Sequence, residues 1–425
     1  MLTTVVRKEH KNDWERRTAL SPSDAADLVE KGFPISVESS GIRVFPDADY
    51  QSLNVPIVDS PLASEFVVGI KEPPVNSIQP NQVHLAFSHT FKGQAYNMGL
   101  LQKFIDQKAT LIDYEPITDS QGKRLIAFGR FAGIAGAIDS LHIAGQKFQV
   151  REQKSALSQI KQTCQYHSID EIKQHFQQID LNSGEPVRVL IVGSGNVGQG
   201  SEEVCQWLGL PKIDIQRLHN QQTPEGSWYA VAKSGDLHQH KNGKAFSMSE
   251  FIEAGATTYE STFDRLLGQF DILLQTPYWT EKYPKHLTIE RMREHLDKLP
   301  LVIADISCDI NGSLECTTQL SDVGSPAYTF DVVSATSSEG VQAEGITVIA
   351  IDNLPCELSY DASIHFSKIL KNYLHNLMSV DLSQPFESCG FSPEIMKAVI
   401  VYRGELTPNF TYLQKFLDKH ATSQK

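Results

Sequence analysis

Short apolar runs alternate with amphipathic segments along most of the chain. In the first part, five runs have the length and the valine and isoleucine content of buried strands: 2–7, 33–38, 66–70, 83–88 and 110–113. Three segments between them predict helices: 21–32, 48–53 and 97–107. Ser21 can cap the first of these helices, and Pro22 is suited to its first position. Strands that alternate with helices predict a parallel sheet, so this part resembles a doubly wound α/β domain.

The stretch 187–200, V-R-V-L-I-V-G-S-G-N-V-G-Q-G, joins a buried strand to a glycine-rich turn. Its glycines form G-x-G-x-x-G, and 201–208 predicts the helix that follows. In this order the glycines allow a tight turn, the approach of a pyrophosphate and close packing of the helix on the strand. The helix N-terminus offers N–H groups to phosphates. The stretch predicts a dinucleotide site with an ordinary tight turn as the alternative, formed by Gly193, Ser194, Gly195, Asn196, Val197 and Gly198.

The rest of the second half predicts further strands at 212–218, 270–275, 301–305 and 346–351, and a closing helix at 362–377. Residues 220–247 are polar and rich in turn formers. Small residues at helical spacing in 127–146 predict a helix that approaches a neighbour closely, and we expect it to cross from the first domain to the second. The polar segment 150–182 is helical in pattern, and its role stays open.

Composition excludes several classes of protein. The net charge of −13 repels polyanions, and no basic tract offsets it, so nucleic-acid binding is not expected. No apolar run has the length of a membrane helix, and the N-terminus lacks the pattern of a signal or transit peptide. The six cysteines are scattered without metal-ligand spacing, which predicts free thiols, no metal and a cytoplasmic location.

Ionisable residues directly follow several predicted strands. In an open α/β sheet, ligands bind beyond the carboxyl ends of the strands, so we expect these side chains to line one cleft. Histidine and a desolvated lysine can supply the proton that accompanies hydride transfer, whereas an isolated lysine there is more simply a solvated loop charge. Arg17, in W-E-R-R-T-A-L-S-P, could anchor a carboxylate or pair with Glu15 or Glu9. The strand-end candidates are Lys71, Glu72, His89, Glu115 and either Asp305 or Asp309.

Blocks of sequence from about residue 5 to 415 resemble a known enzyme family. They are W-E-R-R-T-A-L-S-P, V-V-G-I-K-E-P-P, F-S-H-T-F-K-G-Q-A-Y-N-M-G-L-L, L-I-D-Y-E, G-K-R-L-I-A-F-G-R-F-A-G, A-D-I-S-C-D-I-N-G-S-L-E and I-D-N-L-P. The chain resembles lysine-ketoglutarate reductase, the saccharopine-forming part of bifunctional aminoadipic semialdehyde synthases, which is related to stand-alone saccharopine dehydrogenases. More distantly, its layout is similar to alanine dehydrogenase and the transhydrogenase subunit. The fused saccharopine-hydrolysing domain is absent from this sequence.

The resemblance implies two Rossmann-like, doubly wound domains with an interdomain cleft. A substrate domain would comprise 1–135 and 340–425, and a dinucleotide-binding domain 136–339. The implied reaction condenses lysine with 2-oxoglutarate, and a reduced nicotinamide then converts the imine into saccharopine. By motif, Lys71 and His89 would be the acid–base pair, and Glu72 and Glu115 would tune Lys71. Substrate carboxylates would be held by Arg17, Lys92 and Arg124, and Asp309 would lie near the nicotinamide.

One position bears on the cofactor. An acidic residue that binds the ribose 2′-OH follows the second strand of NAD-specific Rossmann domains. Alignment with the related fungal pattern puts His219 there, with Arg217 two residues before it, which favours NADP(H) over NAD(H). Three other interpretations remain: an NAD-dependent enzyme that releases lysine, an imine reductase for another amino and keto acid, and a nucleotide-sensing protein that lost the chemistry. The expected partners are small-molecule substrates and a second copy of the chain in a homo-oligomer.

Overall fold

The computed structural model describes residues 1–423, which form two units. The first unit joins Met1–Phe128 to Ser359–Lys425, and the second is Gly129–Leu358. The strands are β1 (Thr4–Val6), β2 (Ile35–Glu38), β3 (Ile57–Val58), β4 (Phe66–Val68), β5 (Val83–Ala86), β6 (Thr110–Asp113), β7 (Arg188–Val192), β8 (Trp228–Ala232), β9 (His238–His240), β10 (Tyr259–Ser261), β11 (Ile272–Gln275), β12 (Val302–Asp305), β13 (Tyr328–Asp331), β14 (Thr336–Glu339), β15 (Ile346–Ile349), β16 (Val399–Tyr402) and β17 (Glu405–Leu406).

The helices are α1 (Pro22–Glu30), α2 (Asp47–Gln51), α3 (Met98–Asp106), α4 (Gly129–Val150), α5 (Ile169–Phe176), α6 (Asn196–Trp207), α7 (Ile215–His219), α8 (Ser234–Leu237), α9 (Met248–Ala254), α10 (Ile289–Glu294), α11 (Ser359–Met378), α12 (Pro393–Met396) and α13 (Gln414–Ser423). Ser21 caps α1 as its sequence predicts, because its side chain accepts a hydrogen bond from the Asp24 amide. Among the residues described, no helix combines the length and the apolar character needed to cross a membrane.

The first unit is built on an eight-stranded sheet of order β17-β16-β6-β5-β4-β1-β2-β3. Strands β1 to β6 run parallel, and β16 joins antiparallel to β6. Leu370 and Leu374 of α11 are fully buried in a core on one face, while Phe104 of α3 and Leu417 of α13 are buried in a second core. The C-terminal segment therefore completes the sheet and covers it, as the resemblance implies.

The second unit has a seven-stranded sheet of order β14-β13-β15-β12-β11-β7-β8, in which β13 runs antiparallel to both of its neighbours, β14 and β15. Helix α4 packs on α6 with close approach of the two backbones at the glycines. A Cβ on Gly133 would lie 1.9 Å from the Val197 carbonyl oxygen, and one on Gly200 would lie 2.1 Å from the Arg130 carbonyl oxygen. The small residues of α4 thus serve close helix approach, as predicted.

The two units divide the chain after residues 128 and 358, whereas the resemblance implies boundaries at 135 and 340. Helix α4 lies wholly in the second unit, and β15 belongs to the sheet of that unit because it pairs in parallel with β12. In the segment 150–182, α5 is the one α-helix, and Ser168 caps it through the Glu171 amide.

The strand predicted at 212–218 is wrong, since this segment holds α7. Asp214 caps that helix by accepting a hydrogen bond from the Gln216 amide at 3.0 Å, and Ile215 and Leu218 bury one helical face. The strand next to β7 is β8, in a region predicted to be turn-rich. Its run W-Y-A-V-A is apolar, and four of its five side chains are buried.

Candidate functional site

Three neighbouring strands of the first unit end in loops that carry ionisable side chains. Lys71 and Glu72 follow β4, His89 follows β5, and Glu115 follows β6. Because β4, β5 and β6 are adjacent and parallel, these loops leave the same edge of the sheet. The structure therefore brings together most of the predicted acid–base residues in the first unit.

A histidine–carboxylate pair lies at the centre of this group. Nδ1 of His89 lies 3.2 Å from Oε2 of Glu72, and Nζ of Lys11 lies 2.9 Å from Oε1 of the same carboxylate. The backbone of His89 has a φ of 49°, in the left-handed region that a residue with a Cβ rarely adopts. Among the described residues, Nε2 of His89 has no hydrogen-bond partner, so this nitrogen is available to a substrate.

Electrostatics keep the Glu72 carboxylate ionised. Burial by itself raises the pKa of Glu72, but hydrogen bonds from His89, from its own backbone amide and from Lys11 outweigh burial and hold the pKa far below its usual value. Glu72 is therefore an anion at neutral pH. An anion at Nδ1 orients the imidazole and leaves Nε2 to face a substrate, which is the arrangement a general acid or base needs.

The buried side chains of Arg7 and Glu9 fix the backbone at Lys71. Glu9 accepts hydrogen bonds from the amides of Ile70 and Lys71 at 2.7 and 3.0 Å, and Arg7 donates to the carbonyl of Lys71. Burial raises the pKa of Glu9, although Arg7 opposes it. The Arg7 side chain passes so close to Gly69 that a Cβ there would lie 2.3 Å from its Nε. This packing fixes where Lys71 leaves the sheet.

Glu115 lies in an ion-pair network with the two predicted substrate-binding cations. Its carboxylate accepts from Nζ of Lys92 at 2.8 Å and from the guanidinium of Arg124. Half of each cationic side chain is exposed, whereas Glu115 is 10% exposed. Asp113 orients the loop by accepting the Glu115 amide at 2.8 Å. Two cations on one carboxylate leave a net positive charge that suits a substrate carboxylate.

Arg17 is buried rather than exposed. Its Nε and Nη2 contact the two carboxylate oxygens of Glu15 at 2.7 and 2.5 Å, and its guanidinium lies 4.4 Å from the ring centroid of Phe128. Of the two sequence interpretations, the ion pair with Glu15 is therefore observed, but as a buried pair.

Sequence reasoning missed several residues of this cluster. Arg7, Glu9 and Lys11 follow β1, which lies next to β4 in the sheet. Asp113 ends β6 and accepts the amide and hydroxyl of Ser88 at 2.8 and 2.5 Å. The strand-end rule, applied to β1 as it was to the other strands, would have found the first three.

The second unit carries the glycine turn between β7 and α6. Gly193 has a φ of 96°, and a Cβ there would lie 2.5 Å from Oγ1 of Thr276. A Cβ on Gly198 would lie 2.1 Å from the Gly193 carbonyl oxygen. At Gly195, the N-cap of α6, a Cβ would meet nothing within 4 Å. The turn is therefore closed where strand and helix pack and open where a pyrophosphate would approach, which fits a dinucleotide.

An aromatic cavity adjoins this turn. Gly193 contributes to its wall, and Ser234 and Pro277 come from the loops after β8 and β11. Most of the remaining wall is apolar or aromatic, including Trp279 and Phe251. The cavity thus lies beyond the carboxyl ends of three parallel strands, where α/β sheets bind ligands.

The remaining predicted cofactor residues lie in α7, at the end of β12 and in the loop after it. Arg217 and His219 lie in α7 rather than after the second strand, so their predicted position is corrected. Asp305 is buried and accepts hydrogen bonds from Ser307 and Thr317 at 2.7 Å each, which fastens the loop after β12. Asp309 is half-buried in that loop, burial raises its pKa, and its Oδ2 is a buried atom with no partner among the described residues.

A glycine turn of this geometry, at the carboxyl ends of the parallel strands of a mostly parallel sheet, is typical of a Rossmann-type dinucleotide-binding fold, the fold of nicotinamide-dependent dehydrogenases. The family model "Alanine dehydrogenase/PNT, N-terminal domain" matches residues 5–135, and "Alanine dehydrogenase/PNT, C-terminal domain" matches residues 178–409. The chain belongs to the alanine dehydrogenase/PNT family. A solved L-alanine dehydrogenase shares the fold, with a TM-score of 0.63 at 18% identity over 98% of this chain and 99% of that one.

Two curated relatives bear on function. An alpha-aminoadipic semialdehyde synthase of Arabidopsis thaliana is 30% identical over 95% of this chain and 40% of its own length. A saccharopine dehydrogenase [NAD(+), L-lysine-forming] of Emericella nidulans is 26% identical over 84% of this chain and 87% of its own. The predicted resemblance to these proteins is confirmed. The chain spans less than half the length of the Arabidopsis relative.

Proposed function

We propose that this protein catalyses the reductive condensation of L-lysine with 2-oxoglutarate to saccharopine, with NADPH as reductant. The observation that carries the proposal is the cluster at the ends of β4 and β5, where Lys71 lies beside the His89–Glu72 pair in sequence and sheet order. The names of the curated relatives supply the substrate class. A cytoplasmic location and self-association remain predictions.

Proton transfers dominate the early steps of this reaction. The ε-amine of lysine must lose a proton before it attacks the keto carbon, and the carbinolamine must gain one before water leaves. Nε2 of His89 can accept and return such a proton while Nδ1 faces the Glu72 carboxylate. Lys71 would be the second acid–base group. Lys71 or His89 would also protonate the imine nitrogen, and NADPH, when bound, would supply a hydride to the imine carbon to give the secondary amine.

Substrate carboxylates would be held by Lys92 and Arg124, which together carry one more positive charge than Glu115 neutralises. Arg17 would contribute from a guanidinium that Glu15 already orients. In the structure, Glu72 contacts Lys11 and His89, and Glu115 contacts Lys92 and Arg124. Both carboxylates would influence Lys71 through their negative charge. The glycine turn, from Gly193 to Gly198, would hold the pyrophosphate, and Asp309 would lie toward the nicotinamide.

The reverse reaction with NAD is the second candidate. It is favoured by the name of the Emericella relative, an NAD(+)-dependent, L-lysine-forming saccharopine dehydrogenase that matches this chain over most of both lengths. NADP(H) is preferred here because a lysine, rather than a carboxylate, directly follows β8.

The test is oxidation of NADPH, and separately of NADH, by the purified chain with lysine and 2-oxoglutarate, each omitted in turn. The reverse assay uses saccharopine with each oxidised nucleotide. We expect turnover that requires both substrates, a product that co-elutes with saccharopine, and at least a 100-fold loss in Lys71→Met. Lys31→Met, which changes an exposed lysine directly after α1, is the matched control. Full activity of Lys71→Met, or turnover without 2-oxoglutarate, would contradict the proposal.

A further inference from the structure

In a Rossmann-type domain, the residue after the second strand contacts the ribose of the adenosine, and in this protein β8 takes the place of that strand. Strand β8 pairs in parallel with β7, with Ala232 opposite Val192, and the Gly193 amide donates to the Ala232 carbonyl at 2.8 Å. The next residue, Lys233, therefore leaves the sheet directly beside the glycine turn. In NAD-specific domains this place holds a carboxylate that binds the ribose 2′-OH.

The surroundings of Lys233 favour an anion. Its side chain is exposed, and within residues 1–423 no carboxylate lies within 4 Å of its ammonium group. The nearest acidic residue in sequence, Asp236, accepts the backbone amide of Lys233 at 2.8 Å through Oδ2. That carboxylate is thereby engaged by the backbone, while the ammonium group stays available. A carboxylate at this position would repel a 2′-phosphate. The ammonium group of Lys233 attracts it instead and can donate up to three hydrogen bonds to it.

The aromatic cavity described above supplies a place for the attached base. Ser234, the residue after Lys233, lies in its wall together with Gly193. A purine ring is flat and apolar on both faces, so aromatic side chains such as Trp279 and Tyr278 suit it. With the pyrophosphate at Gly195 and the base in the cavity, the ribose would come next to Lys233.

We propose that Lys233 is the specificity-determining residue for the nucleotide, and that it binds the 2′-phosphate of a 2′-phosphorylated adenosine. The inference rests on the proposed function, because it assigns the cofactor site of that reaction. It takes the place of the sequence-based assignment to Arg217 and His219, which depended on a strand at 212–218.

The experiment measures binding of two nucleotide fragments, 2′,5′-ADP and 5′-AMP, to the full chain by titration calorimetry, so the readout does not depend on turnover. We expect the wild type to bind 2′,5′-ADP more tightly than 5′-AMP. In Lys233→Gln the affinity for 2′,5′-ADP should fall about 10- to 100-fold with little change for 5′-AMP, the loss of a charge-assisted contact. Lys233→Glu should reverse the preference. Lys244→Gln, an exposed lysine between β9 and α9, is the matched control.

Three other outcomes would contradict the inference. An unchanged ratio of the two affinities in Lys233→Gln, with NADPH still consumed by the wild type, overturns the inference and leaves the proposed function intact. The inference is also overturned if the double variant Arg217→Gln/His219→Gln loses the preference for 2′,5′-ADP over 5′-AMP while Lys233→Gln keeps it. The 2′-phosphate site would then lie at α7. If neither fragment binds the wild type and neither NADH nor NADPH is consumed, the proposed function fails as well.

Discussion

Nδ1 of His89 lies 3.2 Å from Oε2 of Glu72, and Lys11 holds the other oxygen of that carboxylate at 2.9 Å. The Glu72 carboxylate thus orients the His89 imidazole, and Lys11, in the segment after β1, orients the carboxylate. Glu72 faces a nitrogen of the ring that the proposed substrate would not use, so its influence on the reaction is indirect. Glu72 is therefore a positioning residue.

The first prediction concerns this pair. Glu72→Gln keeps the shape of the side chain but removes the carboxylate that faces Nδ1 of His89 and the ammonium group of Lys11. We expect kcat to fall about 10- to 100-fold, with little change in KM or in thermal stability. Initial rates and thermal melts measure these effects. Asp59→Asn, at an exposed position, should leave kcat unchanged. An unchanged kcat, or a loss of activity matched by a loss of thermal stability, would contradict the positioning role.

The second prediction separates folding from binding at the glycine turn. Gly195 has a φ of −75°, and a Cβ there meets nothing within 4 Å, so Gly195→Ala should fold with unchanged thermal stability. Its methyl group occupies the space proposed for the pyrophosphate, and ADP affinity should fall at least about tenfold. Gly198→Ala should instead lower the free energy of unfolding by about 1–3 kcal/mol, because its Cβ would lie 2.1 Å from the Gly193 carbonyl oxygen. Thermal melts with and without ADP distinguish the two variants, and unchanged ADP affinity in Gly195→Ala would contradict the assigned site.

The third prediction concerns Lys147, a fully buried lysine of α4. Its Nζ donates to the carbonyls of Gln342, Glu344 and Gly345 at 2.6, 3.2 and 2.9 Å. Lys147→Met leaves these carbonyls without their donor, so we expect a loss of about 2–4 kcal/mol in the free energy of unfolding. Urea denaturation of the variant against Lys154→Met, an exposed lysine, measures the difference.

Lys147 also predicts a pH dependence. Burial lowers its pKa to about 8 from the ordinary 10.5, with a further contribution from Arg151. Between these two values the unfolded chain binds more protons at this residue than the folded chain does. The Lys147 contribution to stability therefore rises as the pH increases from about 8 to 10.5. The difference in unfolding free energy between wild type and Lys147→Met should widen over this range, and a constant difference would contradict the prediction.

The fourth prediction concerns a buried carboxyl pair in the second unit. Asp139 of α4 and Glu357 are both buried, and their carboxyl groups lie close enough to influence each other's pKa. Thr163 donates to Asp139 through its amide and hydroxyl at 2.9 and 2.7 Å, and the Cys164 amide donates to Glu357 at 3.2 Å. The pair therefore fastens part of the segment 150–182 to α4. Burial, and for Glu357 also the neighbouring carboxyl of Asp139, raise the pKa of both groups.

A raised pKa in the folded state means that the folded chain keeps a proton which the unfolded chain has lost. The stability from the pair is fully present below about pH 4.5 and is lost as the pH rises through the raised pKa. In Glu357→Gln only Asp139 of the pair still titrates, and the amide can donate to it at every pH, so this decline should become smaller. Hydrogen exchange of residues 160–166 at pH 5 to 9 measures it, with Glu253→Gln as an exposed control. A decline of the same size in Glu357→Gln would exclude the pair as its source.

Local pattern was sufficient for most elements. The run T-L-I-D predicts β6 to the residue, and S-P-S-D-A-A predicts both the cap and the first turn of α1. The segment 212–218 failed because K-I-D-I-Q-R-L alternates in polarity and also has apolar residues at helical spacing. Which period applies was decided by the Asp214 cap and by burial of Ile215 and Leu218. The strand-end chemistry of Lys71, Glu72, His89 and Glu115 followed from sequence because parallel strands end at one edge.

The sequence by itself determined the α/β class, the glycine turn, the family resemblance and most of the residues at the strand ends. Only the tertiary structure decided which strand lies beside β7, and with it that Lys233 rather than His219 stands next to Gly193. It also decided that Arg17 pairs with Glu15, and that Glu9 holds the backbone of Lys71 across 62 residues of sequence. The physical reason is the range of the interactions. Periodicity, caps and tight turns act within a few residues, whereas strand order and ion pairs join segments that only the packed chain brings together.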